Sequence, residues 1–329
     1  MILLLSNKDD LTTDLVVSNL TKRQAAFYRL NTEDLPSASL TFESAPTLKG
    51  VLSHRGHQID LSEIRSVWNR RPGKLITAEH LSEEVVHFVE QEFAEVFQGL
   101  SAFLAEGCFW MNHPWANDIA SNKLTQLGYM QRQGYPFPRT LVTNDPECAW
   151  RFYEQENQVL CKSMRQGVFS VGNKTLGIYS WLLPSGMKEF DFATVRDCPT
   201  LFQQWIPKTA DIRLTAVGDQ MFSVRIESQA SEDTRVDWRV PDLCKLPHSE
   251  VDTPGVVQIF VKRIMDHFHL HFAALDFVEG LDGVWVFLEV NPNGQWAWLE
   301  ALTRVGISNE IAETLVRWEE TGQAASRTQ

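Results

Sequence analysis

The chain opens on an unbroken apolar run, "MILLLS", and then changes rhythm. The run predicts a first strand buried on both faces. "DDLTTDLVVSNLTKRQ" spaces its apolar residues three and four apart behind a Thr/Asp-rich start, which predicts a helix. "AAFYRLN" and "SVWNRRP" predict two more strands, the second with a polar stop, and "EEVVHFVEQEFAEVFQGLSAFLAE" predicts a long amphipathic helix. Strand, helix and strand in that order argue for a mostly parallel sheet over residues 1–115. A break follows at "CFWMNHPWAND".

Beyond the break, "DIASNKLTQLGYMQRQG" predicts one helix, capped around Asp118–Ser121 and stopped near Gly134. "YPFPRTLVTN" predicts a strand, "DPECAWRFYEQEN" a helix opened by Asp-Pro, and "QVLCKSM" a strand ending in Lys162. Short β segments with Gly and Pro turns continue to about Trp205. "DIRLTAVGDQMFSVRIES" predicts a hairpin turning at Gly218-Asp219. A helix over "DTPGVVQIFVKRIMDHFHL", a second hairpin over "HFAALDFVEGLDGVWVFLEVNPN" and a closing helix over "ISNEIAETLVRWEE" complete the pattern. The sequence has no internal repeat.

Composition narrows the class. The 329 residues suffice for two or three domains, and 43% hydrophobic with 22% charged residues is the balance of a soluble globular chain. No apolar run reaches the roughly 18–20 residues of a membrane span, and no basic region precedes the first strand as in a signal peptide. Five scattered cysteines without a CxxC pair point to a reduced, cytoplasmic setting with no disulfide framework and no zinc site. A net charge of −12 argues against nucleic acid as a partner, yet leaves room for a local cationic pocket that takes a small anion.

Candidate chemistry sits in the two hairpins. In the second, alternation puts Trp285, Phe287, Glu289 and Asn291 on one side and Val284, Val286, Leu288 and Val290 on the other. A turn near Leu281-Asp282 sets Asp276 opposite Glu289. Two facing carboxylates repel, and burial worsens the repulsion, so a cation is expected between them. With the Asn291 amide oxygen they form an all-oxygen set suited to Mg²⁺ shared with phosphates. The plain alternative is a solvated strand end at Glu289 and a turn at Asn291-Pro292.

In the first hairpin, Asp211 and Arg213 share a face, and Arg225 on the partner strand is expected beside Arg213. Adjacent guanidinium groups ask for an anion such as phosphate. The alternative is two surface pairs, Arg213 with Asp211 and Arg225 with Glu227. Lys162 ends an apolar strand and Lys123 begins a helix; either also reads as a lysine with a buried stem. A nucleoside triphosphate with Mg²⁺ would satisfy the cation-rich side and the metal side together.

Other stretches carry less. "GVFSVGNKT" has one residue too many for a P-loop and runs into a β-like segment; Gly167–Gly172 is expected as a mobile loop over the phosphates. His267, His269 and His271 alternate at a helix-to-strand junction and read as core or partly exposed histidines. Asn69, Arg70 and Arg71, after Trp68, suit either binding of substrate acids or a strand-end salt-bridge cluster.

The order "NHPWANDIASNKLTQLGYMQRQGYPFPRTLVT", "VLCKSM", "FQQWIPKTADIRLTAVGDQMFSVRI", "ALDFVEGLDGVWVFLEVNPNGQW" resembles an ATP-grasp ligase over roughly residues 110–310. The resemblance implies an α/β ATP-grasp fold, α+β in its C-terminal part, behind a Rossmann-like pre-ATP-grasp domain. The implied domains are 1–115, a central subdomain 116–202 and a C-terminal subdomain 203–329. Lys123 and Lys162 resemble the lysines that contact ATP phosphates. Gln203, Gln204, Trp205 and Ile206 resemble the hinge that frames adenine, with Gln204 where the family often has Glu. Arg213 and Arg225 resemble the catalytic arginines, and Asp276, Glu289 and Asn291 resemble the ligands of magnesium, two ions in all. The chemistry leaves Asp211, Asp237 and Glu227 open as candidates for the base that serves the acceptor.

"VWNRRP", "IESQASEDTRVDWR" and "NPNGQW" are similar to the microviridin-type ligases. Those enzymes cross-link acidic side chains of a ribosomally made precursor through ω-ester or ω-amide bonds. The resemblance implies a precursor peptide with a leader and an acidic core as partner, and a homodimer. Asn69, Arg70, Arg71, Asp237 and Arg239 are candidate substrate contacts. Leader docking is expected at residues 174–195 and along the helix from about 256. A glutamate-ligase-like enzyme that adds an amino acid to a carboxylate is the alternative. A nucleotide-binding regulatory module is a third reading, opposed by the intact set of Lys162, Arg213, Asp276, Glu289 and Asn291.

Overall fold

The computed structural model describes residues 1–46, 48–73, 75, 81–104, 107–165, 168–171, 174–177, 180–239 and 246–321. The N-terminal unit runs β1 (Ile2–Ser6), α1 (Leu11–Lys22), β2 (Phe27–Asn31), β3 (Ser39–Glu43), β4 (Lys49–His54), β5 (His57–Asp60), β6 (Ser66–Asn69), α2 (Glu83–Phe103) and β7 (Phe109–Met111). Strands β2-β1-β6-β7 form a parallel sheet in that order, and β3-β4-β5 a small antiparallel one. Every residue of β1 is buried, which accounts for its unbroken apolar run. β7 lies inside the stretch expected as a break. It was illegible because three residues are too few to show a period.

The next part holds α3 (Pro114–Ser121), α4 (Lys123–Gln133), β8 (Thr140–Thr143), α5 (Pro146–Gln155), β9 (Val159–Lys162), β10 (Val168–Val171), β11 (Lys174–Gly177), β12 (Trp181–Leu182) and β13 (Thr200–Gln204). One helix was expected where α3 and α4 stand. The chain breaks at Asn122, whose side-chain oxygen accepts from Leu124 N and Thr125 N and caps α4. The stop is as expected: Gly134 takes the left-handed conformation, φ 64°. Residues 168–171, expected within a phosphate-covering loop, pair with β11 as a hairpin, while Gly167, Gly172 and Asn173 lie outside the described residues. A four-stranded sheet, β12-β9-β13-β8, forms this unit's platform.

The last part holds β14 (Lys208–Val217), β15 (Gln220–Ile226), β16 (His248–Val251), α6 (Gly255–His267), β17 (Phe272–Gly280), β18 (Trp285–Asn291), α7 (Ala297–Thr303) and α8 (Ile307–Thr321). Its antiparallel sheet is ordered β16-β15-β14-β17-β18. One face, with Ile212, Leu214, Leu275, Phe277 and Phe287, packs under α6. The other face joins Val217, Val224 and Phe272 to Ile2, Leu4 and Trp68 of the N-terminal sheet and to α8. Trp296, whose role the sequence left open, is fully buried in that second core. No helix among the described residues is long and apolar enough to cross a membrane.

Candidate active site

The second hairpin places Asp276 directly opposite Glu289, as its spacing implied. The faces differ from expectation. Register is Phe277 with Phe287 but Asp276 with Glu289, so one residue of β18, Leu288, is extra. This β-bulge reverses the phase of the strand. Trp285, Phe287 and Val290 enter the core under α6, while Glu289 and Asn291 turn to the opposite face with Asp276.

Gln126 of α4 holds that strand end. Its Nε2 donates to Val290 O at 2.9 Å, and its Oε1 accepts from Val290 N at 3.1 Å. One turn earlier, Lys123 Nζ stands 3.6 Å from Glu289 Oε2 and donates to Ser163 O at 2.7 Å. Sequence reasoning missed Gln126. A glutamine in helical line with Tyr129 and Met130, on the apolar face of α4, carried the only signal.

Arg213 on β14 lies opposite Asp276 and donates Nη1 to Asp276 Oδ2 at 2.7 Å. Its Nη2 donates to Gln295 O at 3.1 Å. Gly294 makes room: a Cβ there would meet Arg213 Nη2 at 2.6 Å and Ala274 Cβ at 2.4 Å. Asp276 Oδ1 is buried without a hydrogen-bond partner.

Arg225 does not join this group. It pairs opposite Ile212, whose side chain belongs to the α6 face, and it binds Glu279 Oε2 at 3.0 Å and Glu227. The expectation that the two arginines are neighbours therefore fails. Adjacent strand positions, Arg213 opposite Val224 and Arg225 opposite Ile212, point to opposite faces. Asp211 keeps the face of Arg213 but is buried and held by Lys208 Nζ at 2.6 Å. Burial pushes its carboxyl up, against the pull of Lys208.

A cleft opens between the two β platforms. Lys162, Gln203, Gln204, Trp205 and Ile206 line one wall, and Asp276 and Glu289 the other. Lys162 Nζ donates to Gln203 Oε1 at 2.6 Å. Burial lowers the Lys162 ammonium to about 8, although Glu289 works to raise it. Across the cleft the two carboxyls part ways. Burial raises Asp276 despite Arg213, whereas for Glu289 burial is outweighed by Lys123, Arg239 and Lys162, which hold it below its usual range.

Asp237 and Arg239 reach the same cleft. Arg239 forks onto Asp237 at 2.7 and 2.8 Å, and its Nη1 stands 3.7 Å from Glu289 Oε1. Although burial works to raise Asp237, that fork and the Ser180 N–H hold it well below the carboxylate range. Asn291 Oδ1 accepts from Asn293 N at 3.1 Å and keeps a second lone pair. The donor set of two carboxylates and an amide oxygen, with one buried carboxylate oxygen unpaired, fits a hard cation such as Mg²⁺.

Asn69 and Arg70 lie on the N-terminal side. Arg70 is fully buried. It donates to Asn293 O at 2.7 Å, Gly294 O at 3.3 Å and Gln295 Oε1 at 2.7 Å, and its Nε lies 3.4 Å from Asp10 Oδ2. Burial lowers the Arg70 guanidinium to about 10. With its amide turned to suit its neighbours, Asn293 bonds the carbonyls of Asn69 and Arg70. Arg70 thus holds the loop after β18 and pairs with Asp10, and the Asn69 carbonyl takes part only through Asn293.

Residues 1–118 match the MvdD pre-ATP grasp domain. The fold as a whole is similar to a Chryseobacterium gregarium RiPP-associated ATP-grasp ligase, solved in complex with ADP and a leader and core peptide. The TM-score is 0.85 at 25% identity, over 95% of this chain and 96% of that one. The pre-ATP-grasp domain and this full-length likeness make the chain an ATP-dependent ligase of the ATP-grasp fold. The ligase is also similar to the macrocyclase MdnB of Microcystis aeruginosa MRC, at TM-score 0.78 and 27% identity over 96% of this chain and 98% of that one. It shares the fold of the macrocyclase MdnC from the same organism, solved with its precursor peptide MdnA: TM-score 0.84, 23% identity, 96% of this chain and 99% of that one. No curated protein sequence matches it.

Proposed function

We propose that this ligase activates Asp or Glu side chains of a ribosomally made precursor peptide as acyl phosphates and closes them intramolecularly into ω-ester or ω-amide cross-links. The observation that carries the reading is the cleft with Lys162 on one wall and the Asp276–Glu289 pair on the other, a cation side and a metal side for one nucleoside triphosphate. The full-length likeness to peptide-bound ligases supports a peptide substrate.

A carboxylate is a poor acyl donor because oxide leaves badly. In the proposed reaction its oxygen bonds the γ-phosphorus of ATP while the bond to ADP breaks, and a hydroxyl or amine then displaces phosphate. Such chemistry needs alignment and charge neutralisation more than a protein nucleophile. Lys123 and Lys162 would hold phosphates, Gln203 to Ile206 the adenine, and Arg213 the charge that develops during transfer. Asp276, Glu289 and Asn291 would hold Mg²⁺, two ions in this reading, which supplies further neutralisation when bound. Arg239 borders the same carboxylates and would face the phosphates.

The domain scheme 1–115, 116–202 and 203–329 belongs to the same proposal, as do an acidic core in the peptide, a cytoplasmic homodimer and leader docking near Trp181 and α6. Exposed Trp181, Val256 and Ile259 support that docking area.

Mass spectrometry after incubation with ATP, Mg²⁺ and the peptide of a neighbouring short reading frame tests the function. Loss of about 18 Da per bond, one water for each condensation through the acyl phosphate, is expected. A gain by the mass of an amino acid would overturn cross-linking in favour of a glutamate-ligase-like reaction.

A further inference from the structure

The sheet order β2-β1-β6-β7 reverses direction between β1 and β6. In open parallel sheets, ligands bind in the crevice beyond the carboxyl ends of the strands at such a reversal. Here those ends are Ser6-Asn7 and Asn69-Arg70-Arg71. The backbone is held on both sides: Arg70 N donates to Leu5 O at 2.9 Å, and Asn7 Nδ2 donates to Arg71 O at 2.8 Å.

The three residues that end β6 differ in what they have left to give. Asn69 is buried, and the terminal nitrogens of Arg70 are spent on the 293–295 loop. Arg71 is only half-buried, and its guanidinium makes no hydrogen bond or ion pair with the described residues. The nearby carboxylate of Asp10 is already engaged, by Thr12 N, Thr13 Oγ1, Ser6 Oγ and Arg70. Burial lowers the Arg71 guanidinium; Asp10 works to raise it, and the repulsion of Arg213 adds to the lowering. A planar fork of free donors beside two like charges is a site that lacks an anion. The 293–295 loop binds Arg70 and Arg213 at once, so the wall beyond Arg71 carries Arg213 and, bonded to it, Asp276.

We propose that Arg71 binds the reacting carboxylate of the substrate, taking one oxygen and leaving the other free for the phosphoryl group. This rests on the acyl-phosphate reading above. The free oxygen forms the bond to phosphorus, and the electron pair of the broken bond leaves with ADP; no proton moves in this step. Arg71 then faces the carbonyl oxygen of the acyl phosphate. Of the two sequence readings for Asn69-Arg70-Arg71, the salt-bridge cluster suits Arg70, through Asp10, and acid binding suits Arg71.

The test uses N-acetyl-glutamate amide and its uncharged counterpart N-acetyl-glutamine amide. Binding to the Mg·ADP-loaded protein is read by NMR, and turnover with ATP and hydroxylamine is read as hydroxamate. The wild type is expected to hold the carboxylate at least about tenfold more tightly than the amide, the worth of a charge-assisted hydrogen bond. Arg71→Ala should erase that preference and lower kcat/KM for the carboxylate by a similar factor, with KM for ATP unchanged. Arg71→Lys should restore part of both.

The proposal is overturned if the wild type shows no preference, if Arg71→Ala keeps it, or if Arg71→Ala raises KM for ATP instead. A carboxylate preference that Arg71→Ala erases, with no hydroxamate from the wild type, would uphold the subsite and sink the acyl-phosphate chemistry.

Discussion

The two faces of the five-stranded sheet use the same strands for opposite purposes. Under α6, Ile212, Leu214, Leu275, Phe277 and Phe287 make a packed apolar layer. One residue along on β14 and β17, and two along on β18 across the bulge, Asp211, Arg213, Asp276 and Glu289 gather charge on the reverse side. Burying charge is costly unless it is compensated, so an oxygen-rich, partly unpaired arrangement persists where a ligand or metal completes it. Arg225 shows what charge does on the apolar side: it is consumed by Glu279 and Glu227 near the strand ends. Position in the pleat, more than residue type, separates a candidate catalytic arginine from a structural one.

The contrast breaks most severely at its centre. Arg213→Ala and Glu289→Gln are each expected to lower peptide-dependent ADP release by about 100-fold or more, the scale of losing a preorganised charge-stabilising group. Near-wild-type release in either variant would remove the charged face from the chemistry. Gly294→Ala comes next. Its Cβ would overlap Arg213 and Ala274, so the loop must shift, at a cost of about 1–3 kcal/mol in stability by thermal unfolding and with a clear fall in kcat.

Lys162 sharpens the comparison through pH. Its ammonium titrates near 8 in the folded protein, so the affinity for ATP measured by calorimetry should fall as pH rises through about 8. Lys162→Arg should flatten that profile. The unfolded lysine, with its pKa of roughly 10.4, binds the proton more tightly, so this residue's cost to folding fades as pH climbs from about 8 to that value. Arg225→Met should do least: turnover within about twofold of wild type, because only a partly exposed ion-pair cluster is lost. A loss matching that of Arg213→Ala would restore the neighbouring-arginine expectation.

Much of this was legible in the chain. Both hairpins, the parallel N-terminal sheet and the opposition of Asp276 and Glu289 followed from period and turn chemistry, which act locally. What was misread shares one cause. A single extra residue, Leu288, reverses a two-residue period, and a single position of pairing decides which side Arg225 takes. The Asn122 break looked like mid-helix because the apolar spacing continues across it, although its capping chemistry was present.

By itself the sequence determined most of the elements, their order and a set of candidate residues for a triphosphate and a metal, because hydrophobic period, caps and turns are properties of neighbours along the chain. The tertiary structure alone decided which of those residues meet. It turned Glu289 and Asn291 away from Phe287, sent Arg225 to the other face, fastened Val290 with Gln126 from a helix more than a hundred and fifty residues earlier, and spent Arg70 on a loop while leaving Arg71 free. Those outcomes depend on register and packing between distant segments, and no local pattern encodes them.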